Sequence, residues 1–327
     1  MMATTLKDVA REANVAVETV SRVLNNRGYI SEKTRKKVNE AMEKLAYHPN
    51  TVARTLSKGR ADAIGVIVPH IVHPYFAQMI SEIEKVAAEK NLSVFISSSA
   101  GNNEREKQIL ELCENSQLAG VLLFSSNVRP EQVKAINIPV VTIERFIEGG
   151  TSCVLCDNYA GGSIAAEHLI KKGCKHLIML GSVDRNAMPA DEREDGFRDV
   201  CSANGVSVNI IHNGMESFQN MEYHKYIEKA LKENPETDGV FCSSDIIAAQ
   251  TIQVCKKLGM DIPGRIKIIG FDDTMIAGNT TPMITTIHQP ITEMAELGVD
   301  MILRENNGQV VPEKNILKVS LVERETT

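Results

Sequence analysis

The polar side chains of one short segment near the start of the chain could bind nucleic acid. Residues 17–26 read VETVSRVLNN, and a helical period turns Glu18, Thr19, Ser21, Arg22 and Asn25 outward. An arginine fork suits the O6 and N7 atoms of guanine, and a carboxylate can accept a hydrogen bond from the N4 amine of cytosine. Glu18 equally suits the positive end of a helix, so both roles stay open for it. These residue types indicate a surface that hydrogen-bonds the edges of base pairs.

Short helices must position this segment. Apolar residues recur with helical spacing in LKDVAREANV and again in VETVSRVL. Only a tight turn at Asn14 separates them, and asparagine tolerates the left-handed backbone conformation. The pair predicts a helix-turn-helix whose second helix enters the major groove with its N-terminus leading. A third helix is expected between Ser31, which caps it, and Tyr47-His48-Pro49, which ends it.

Charge is distributed unevenly along the chain. Residues 1–60 contain 12 Lys/Arg and 6 Asp/Glu, and the remainder contains 24 and 36, within a formal net charge of −6. A basic head on an acidic body indicates that the head alone meets a polyanion. Residues 50–56 could form a short, weak helix before the linker 57–60, and a helix this short is unstable in water. This segment is therefore expected to fold only on a partner.

From residue 61 onward, apolar strands alternate with amphipathic helices. This alternation is typical of parallel sheets with right-handed crossovers, and two successive series predict two doubly wound lobes, so the fold class is α/β. Buried strands are expected at 63–69, 93–99, 120–126 and 138–144, and further strands at 177–182, 206–212, 239–245 and 266–273. Helices are expected near 75–90, 103–116, 160–172, 190–204, 221–233 and 246–258.

Polar residues gather where these strands end. Ligands of doubly wound lobes bind beyond the C-terminal ends of the strands. The residues at these ends are Ser125, Glu144, Arg145, Asp245, Asp272 and Asp273. A ligand site between the lobes is therefore expected.

Signatures of catalysis and of metal binding are missing from the sequence. It contains no GxSxG, GxxxxGK[ST], GxGxxG or HExxH motif, so we expect a protein that is not an enzyme and uses no cofactor. Its seven cysteines are scattered, which indicates reduced thiols. Cys153 and Cys156 have CxxC spacing inside a predicted strand, but no second pair completes a zinc set, so core thiols and no metal are expected.

No segment of the sequence predicts insertion into a membrane. No apolar run reaches the roughly 18 residues that a membrane span needs, and the first residues lack an apolar signal core. A cytoplasmic protein with no membrane partner is expected.

The head resembles that of the lactose/galactose repressor (LacI/GalR) family. TLKDVAREANVAVETVSRVLN followed by YHPNTVARTL carries the resemblance, which extends over nearly the whole chain. It implies a DNA-binding domain at 1–48, a hinge helix and linker at 49–60, and an effector-binding and dimerisation domain at 61–327. Within this domain, 61–160 and 290–319 would form the first lobe, and 161–289 with the C-terminal strand would form the second. Two residues depart from the family pattern: Asn14 replaces a usual glycine, and Ala16 replaces a usual serine that would cap the second helix.

The resemblance also implies which residues contact operator DNA. In the family, two hinge helices of a dimer enter the minor groove and a leucine from each wedges between base pairs, which here makes Leu56 the wedge, with Asn50 and Ala53 facing the groove. The alternative for Leu56 is packing against the body. The expected contacts of the head are Thr5, Leu6, Val17, Glu18, Thr19, Ser21, Arg22, Asn25 and Tyr29.

The body is similar to periplasmic sugar-binding proteins, with the ligand between two lobes. The resemblance assigns sugar contacts to Arg193 in REDGF, Asp272 in GFDDT and Gln289 in TTIHQP. Planar donors and carboxylates bind vicinal hydroxyls in pairs, and aromatic faces cover apolar ring hydrogens. The other expected contacts are Tyr75, Phe76, Ser125, Glu144, Arg145, Met215 and Asp245, and either Met215 or Phe218 could cover the ligand. Surface salt bridges for Arg145 and Arg193, and helix capping for Asp245, are the alternatives.

Taken together, these features predict a homodimeric, sugar-responsive transcriptional repressor. Its segments RGYISEKTRKKVNEAM and IAAEHLIKKGCKHLIML look most like ribose or sucrose regulators, which favours ribose or a fructose-containing sugar. A dimer rather than a tetramer is expected because LVERETT adds no leucine heptads. The alternatives are a catabolite-control regulator that responds to a phosphorylated carrier protein, and a purine-responsive regulator. A sugar-binding or enzymatic module with a vestigial head is less consistent with the basic head.

Overall fold

The protein is described by a computed structural model, which covers residues 4–24, 28–47, 60–124, 128–181 and 188–327. The chain forms two compact units, Met1–Ala61 and Asp62–Thr327. The first is helical in its described part, and the second is α/β.

In the first unit, short helices surround a small apolar core. They are α1 (Leu6–Ala13), α2 (Val17–Leu24) and α3 (Glu32–Lys44). Between α1 and α2, Asn14 adopts the left-handed conformation at φ 51° and ψ 51°, and its N–H bonds back to the last turn of α1. The predicted helix-turn-helix is confirmed. Its buried residues are Val9, Ala10, Ala13, Val20, Val23, Val38 and Ala41.

The first lobe of the second unit is built on a parallel sheet of order β11-β5-β4-β3-β1-β2. Its strands are β1 (Ala63–Val68), β2 (Ser93–Ser98), β3 (Val121–Leu123), β4 (Val140–Ile143), β5 (Ser152–Cys156) and β11 (Lys314–Leu317). Its helices are α4 (Pro74–Glu89), α5 (Asn103–Asn115), α6 (Pro130–Lys134) and α13 (Ile291–Asn306). Helix α13 packs on α4 and on the middle of this sheet.

The second lobe repeats the arrangement with the order β12-β10-β9-β8-β6-β7. Strand β12 runs antiparallel to β10, and the other neighbours are parallel. The strands are β6 (His176–Leu180), β7 (Ser207–Ile211), β8 (Gly239–Cys242), β9 (Lys267–Asp272), β10 (Thr285–His288) and β12 (Ser320–Val322). The helices are α7 (Asn158–Lys171), α8 (Glu192–Ala203), α9 (Met215–Asn220), α10 (His224–Glu233), α11 (Asp245–Lys257) and α12 (Met275–Asn279), with a 3-10 turn at Pro189–Asp191.

The chain crosses between the lobes where β5 leads into α7, where β10 leads into α13, and between β11 and β12. The fold class predicted from the sequence is confirmed: the chain has an α/β body of two doubly wound lobes and a small helical head. Among the described residues, no helix is both long and apolar enough to span a membrane.

Strand β2 is less buried than its sequence suggests. Phe95 is 59% exposed and Ile96 is 43% exposed, so the prediction of a buried strand there is wrong. The reason is position: β2 is the edge strand of its sheet, and an apolar run alone does not distinguish an edge from the middle.

Glycines let the backbones of helices α7 and α8 come into close contact where the helices cross. A Cβ atom on Gly162 would lie 1.9 Å from the carbonyl oxygen of Arg193, and one on Gly196 would lie 2.0 Å from that of Tyr159. Both positions therefore exclude any side chain. This close packing fixes α8, which carries Arg193, against the start of α7.

All seven cysteines are free and buried, as predicted. Cys153 and Cys156 both lie in β5, and burial raises the pKa of the Cys153 thiol to about 11. In the part of the chain that the structure describes, no group of His, Cys, Asp and Glu side chains is arranged to hold a metal.

Candidate functional site

The first candidate surface is the outer side of α2. Val20 and Val23 are buried in the head core, whereas Glu18 and Arg22 are exposed and Thr19 is half-buried. Residue 16, at the N-terminus of α2, is alanine, so its side chain offers no hydrogen-bond acceptor; its carbonyl accepts from the N–H groups of Thr19 at 2.9 Å and Val20 at 3.2 Å. The outer face is therefore polar, and residue 16 supplies no side-chain acceptor to the first turn.

The other expected DNA contacts of the head differ in exposure. Tyr29 is 97% exposed, Thr5 is exposed and caps α1, and Ser21 is half-buried. Leu6 and Val17 are half-buried and pack against the head core, so each also stabilises the fold. The expected contacts that lie outside the described residues are Asn25, Asn50, Ala53 and Leu56.

The second candidate site is a cavity of about 280 Å³ in the body, walled by residues of both lobes. Strand ends, the loops after them and the start of α8 supply the charged part of the wall, and helix α4 with the loop before it supplies much of the aromatic part. Of the residues expected from the sequence, the cavity brings together Tyr75, Phe76, Glu144, Arg193, Met215, Asp272 and Gln289. Ser125 lies outside the described residues.

Arg193 is the buried cation of this cavity wall. Its Nε donates to Oδ1 of Asn158 at 2.7 Å, and its Nη1 donates to the carbonyl of Ser243 at 2.8 Å. Its guanidinium carbon lies 3.5 Å from the ring centroid of Phe271, a favourable cation–π arrangement. Nη2 lies 3.8 Å from Oε2 of Glu144, longer than a hydrogen bond. The plane of the guanidinium is thus fixed by protein contacts.

Glu144 is held from the first lobe in a backbone conformation that few residues adopt. Its φ is 53°, in the left-handed region, directly after β4. Its Oε1 accepts from the N–H of Cys156 at 2.6 Å, and its Oε2 accepts from Nδ2 of Asn158 at 3.0 Å. These bonds orient the carboxylate at the cavity wall.

Asp272 ends β9 and faces Gln289 at the next strand. Its φ of 109° is also in the positive region. Oδ1 of Asp272 accepts from Nε2 of Gln289 at 2.7 Å, and Oε1 of Gln289 is buried without a hydrogen-bond partner among the described residues. Burial raises the pKa of Asp272 well above its usual range, although the guanidinium of Arg193 opposes that shift. The free amide oxygen is an acceptor that a ligand hydroxyl could satisfy.

Further buried polar atoms on the wall lack partners in the described part of the chain. They are the hydroxyls of Tyr75, Tyr223 and Ser243 and Nδ1 of His73. Since buried polar groups are nearly always hydrogen-bonded in folded proteins, such a set on one wall indicates that a polar ligand completes it.

Aromatic rings form the opposite part of the wall. The ring of Phe76 lies 5.8 Å from Phe124 and 5.2 Å from His73. Phe218, from α9, lies 5.3 Å from His70 across the lobes. The sequence left open whether Met215 or Phe218 faces the cavity. In the structure both residues line it.

Two expected contacts are not on the wall. Oδ1 of Asp245 accepts from Thr286 at 2.6 Å and its Oδ2 accepts from the N–H and hydroxyl of Thr274, so this carboxylate holds neighbouring strand ends together. Arg145 reaches the site only indirectly, because its Nη1 contacts the sulfur of Met188, which does line the cavity. Neither Asp245 nor Arg145 is among the residues that line the cavity.

Sequence reasoning missed several residues of the cavity and its support. Among them are His70, His73, Asn158, Glu194, His212 and Tyr223. Two of them are near residues that were predicted from the sequence as ligand contacts and could have been predicted with them. His73 lies in the same segment as Tyr75 and Phe76, and Glu194 follows Arg193. Asn158 begins α7, and His70, His212 and Tyr223 come from separate loops, so the four share no sequence spacing.

Two protein-family models match the chain. Residues 5–50 match bacterial regulatory proteins of the lacI family, and residues 166–327 match the periplasmic binding protein-like domain. A sucrose operon repressor of Streptococcus mutans is 34% identical over 330 residues, covering 99% of this chain and 100% of the relative. The chain belongs to the lacI family. It is a DNA-binding transcriptional repressor, and the resemblance seen in the sequence is confirmed.

Further members of the lacI family are similar to this chain at about the same level of identity. A ribose operon repressor of Halalkalibacterium halodurans is 31% identical over 325 residues, covering 99% of this chain and 97% of the relative. A solved periplasmic binding protein/LacI transcriptional regulator of Alkaliphilus metalliredigens, complexed with D-xylulofuranose, is 32% identical with a TM-score of 0.74. That likeness covers 82% of this chain and 99% of the solved chain.

Proposed function

We propose that this protein is a sugar-responsive repressor that binds operator DNA as a homodimer and binds its effector in the cavity between the lobes. The observation that carries the proposal is the placement of Arg193, Glu144 and Asp272 on one buried wall beside unsatisfied polar atoms. A guanidinium and two carboxyl groups suit the vicinal hydroxyls of a sugar, and the rings of Phe76 and Phe218 suit its apolar face.

The effector is a sugar that contains a furanose ring, either ribose or a fructose-containing sugar. The names of the sucrose and ribose operon repressors, and the D-xylulofuranose held by the solved relative, support this class.

The regulatory mechanism couples two binding events. Residues 1–48 read the major groove of the operator, and residues 49–60 form a hinge in which Leu56 wedges into the minor groove. Residues 61–327 bind the sugar and the second copy of the chain. Sugar binding changes the relative arrangement of the two lobes and releases the operator. Sugar must therefore lower the affinity for operator, and operator the affinity for sugar, by the same factor.

Strand β2 supports the homodimer. Phe95 and Ile96 are exposed on a free sheet edge, and Leu112 of α5 is 62% exposed. Large exposed apolar groups on an edge strand are a liability in a monomer and are typically covered by a partner. Phe95→Lys should therefore shift the protein to monomer in sedimentation velocity, and an unchanged dimer would place the interface elsewhere.

A thermal-shift screen tests the effector class. Pentoses, ketoses and disaccharides are compared with purines and with a phosphorylated carrier protein. A ligand present at about 100 times its dissociation constant should add about 2.7 kcal/mol to the free energy of unfolding. Stabilisation by a furanose sugar supports the proposal. Stabilisation by purines alone, or by the phosphorylated carrier alone, would replace it with the corresponding alternative.

A further inference from the structure

Asn158 lies where the chain leaves the first lobe and enters the second, as the first residue of α7, and it is fully buried. Its Oδ1 accepts from Nε of Arg193 at 2.7 Å and from the thiol of Cys156 at 3.4 Å. Its Nδ2 donates to Oε2 of Glu144 at 3.0 Å and to the carbonyl of Cys156 at 3.2 Å. An amide has two donors and two lone pairs on its oxygen, so its hydrogen-bonding capacity is filled.

These bonds join groups of different lobes. Glu144 follows β4 of the first sheet, and Arg193 lies in α8 of the second lobe. Asn158 itself is not on the cavity wall. It therefore holds two wall residues in place without touching what they bind.

We propose that Asn158 is a positioning residue of the effector cavity, which sets the spacing between the carboxylate of Glu144 and the guanidinium of Arg193 and so ties sugar binding to the relation of the lobes. This inference rests on the sugar site proposed above. Nη2 of Arg193 and Oε2 of Glu144 are 3.8 Å apart, and each keeps hydrogen-bonding capacity for a ligand. A sugar that bonds both groups needs that spacing, and among the described residues Asn158 is the side chain that bonds both.

The chemistry of an amide explains why asparagine fits here. Its oxygen accepts from Arg193 while its nitrogen donates to Glu144, and both lie on one planar group. An aspartate would still accept from Arg193, but it would set an oxygen with no proton against Oε2 of Glu144. A proton shared between the two carboxyls would restore the missing donor. Asn158→Asp should therefore weaken sugar binding at high pH and regain sugar affinity at low pH.

The test measures sugar affinity by isothermal titration at about pH 8 and about pH 5.5. The probes are D-ribose, D-xylulose, D-fructose and sucrose, and the one that binds the wild type best is carried through the series. At the higher pH, Asn158→Asp and Asn158→Ala should both bind it about tenfold or more weakly, as expected for loss of a hydrogen bond to a charged group. At the lower pH, Asn158→Asp should regain most of the wild-type affinity, and Asn158→Ala should not.

Other groups around this side chain also titrate or carry charge. The sugar affinity of the wild type at the same two pH values corrects for their effect. Those groups are Glu144, Arg193, Cys156, Tyr75 and Asp272. Asn315→Asp is the matched control, because Nδ2 of Asn315 donates to the carbonyls of Cys153 and Pro312 and lies off the cavity wall. It should leave sugar affinity unchanged at both pH values.

Equal sugar affinity of wild type and both Asn158 variants would overturn the inference, as would two variants that stay equally weak at both pH values. The second result would reduce Asn158 to a general structural role. If the wild type binds none of the four sugars while its head binds DNA, the proposed function fails, and this inference falls with it.

Discussion

Nη2 of Arg193 and Oε2 of Glu144 lie 3.8 Å apart on the wall of the cavity, one from each lobe. Their side chains are only 9% and 13% exposed. Each is fixed from behind, Arg193 by Asn158 and Ser243, and Glu144 by Asn158 and Cys156. A ligand that bonds both groups therefore binds both lobes at once, which is how occupancy of the cavity can change their relation.

Arg193→Lys should uncouple the repressor from its sugar. Lysine keeps the charge but loses the planar fork and the stacking on Phe271, so sugar affinity should fall about 10- to 100-fold. Operator affinity without sugar should stay unchanged, and isothermal titration with gel shifts measures both. Arg265→Lys is the matched control, because within the described part of the chain Arg265 donates to the carbonyls of Thr237 and Pro235 in the second lobe and does not line the cavity. If Arg193→Lys and Arg265→Lys lower sugar affinity equally, Arg193 is not a sugar contact.

Most of the architecture follows from apolar periodicity in the sequence. The strand and helix ranges that were predicted after residue 61 match the structure to within a few residues, because a buried parallel strand is a continuous apolar run. No range was predicted for several other elements, among them the long helix α13 (Ile291–Asn306). The same rule does not distinguish edge strands, which is why Phe95 and Ile96 were expected to be buried. The resemblance implied a C-terminal strand in the second lobe, but the antiparallel direction of β12 was not predicted, since a short strand gains its direction only from its neighbour.

The site was predictable where one segment carried the signal. Arg193, Asp272 and Gln289 each lie at a strand end or helix start, and the cavity brings them together. Asp245 also lies at such an end, yet its carboxylate turns to Thr274 and Thr286, and only the three-dimensional packing decides that rotation. The role of Asn158 could not be predicted from the sequence, because it depends on bonds to Glu144 of one lobe and Arg193 of the other.

Ala16→Ser should stabilise α2. The serine hydroxyl would accept from an N–H of the first turn, which now bonds to the carbonyl of residue 16, and a side-chain cap is worth about 1 kcal/mol. Hydrogen exchange of the Thr19 and Val20 amides in the full chain should slow. Ser31→Ala removes the cap of α3 and should have the opposite effect on that helix. Unchanged exchange in α2 would contradict the idea that this helix start lacks a cap.

Arg22→Ala should cost operator specificity. Arg22 is exposed on the polar face of α2, and a bidentate contact to guanine is worth about 1–3 kcal/mol of discrimination. Specific affinity in a gel shift should therefore fall more than affinity for random DNA, and preference at one base position should relax. Lys36→Ala, in the exposed face of α3, serves as the control. If Arg22→Ala weakens both DNAs equally and lowers the salt dependence, the residue contacts phosphate instead.

Acid should destabilise the body through His73. Burial, and to a lesser extent the charge of His70, lowers the pKa of His73 from 6.5 to about 4. Between these two pH values the unfolded chain binds a proton at His73 that the folded chain does not bind. The free energy of unfolding therefore falls as the pH drops from about 6.5 to about 4. The loss is on the order of 3 kcal/mol, and above this window His73 contributes no pH dependence.

The comparison of wild type with His73→Gln isolates this effect from the carboxyl groups that titrate in the same window. Denaturant unfolding at several pH values should give the variant a flatter profile between about pH 6.5 and pH 4. Parallel profiles for the two proteins would mean that His73 is not buried as a neutral group.

The reciprocal effect of sugar and operator tests the central claim most directly. Isothermal titration gives the sugar dissociation constant with and without saturating operator DNA, and gel shifts give the operator dissociation constant with and without saturating sugar. The account predicts that each ligand weakens the other by the same factor, of about tenfold or more. A sugar that binds in the cavity with equal affinity whether or not operator is present would contradict it.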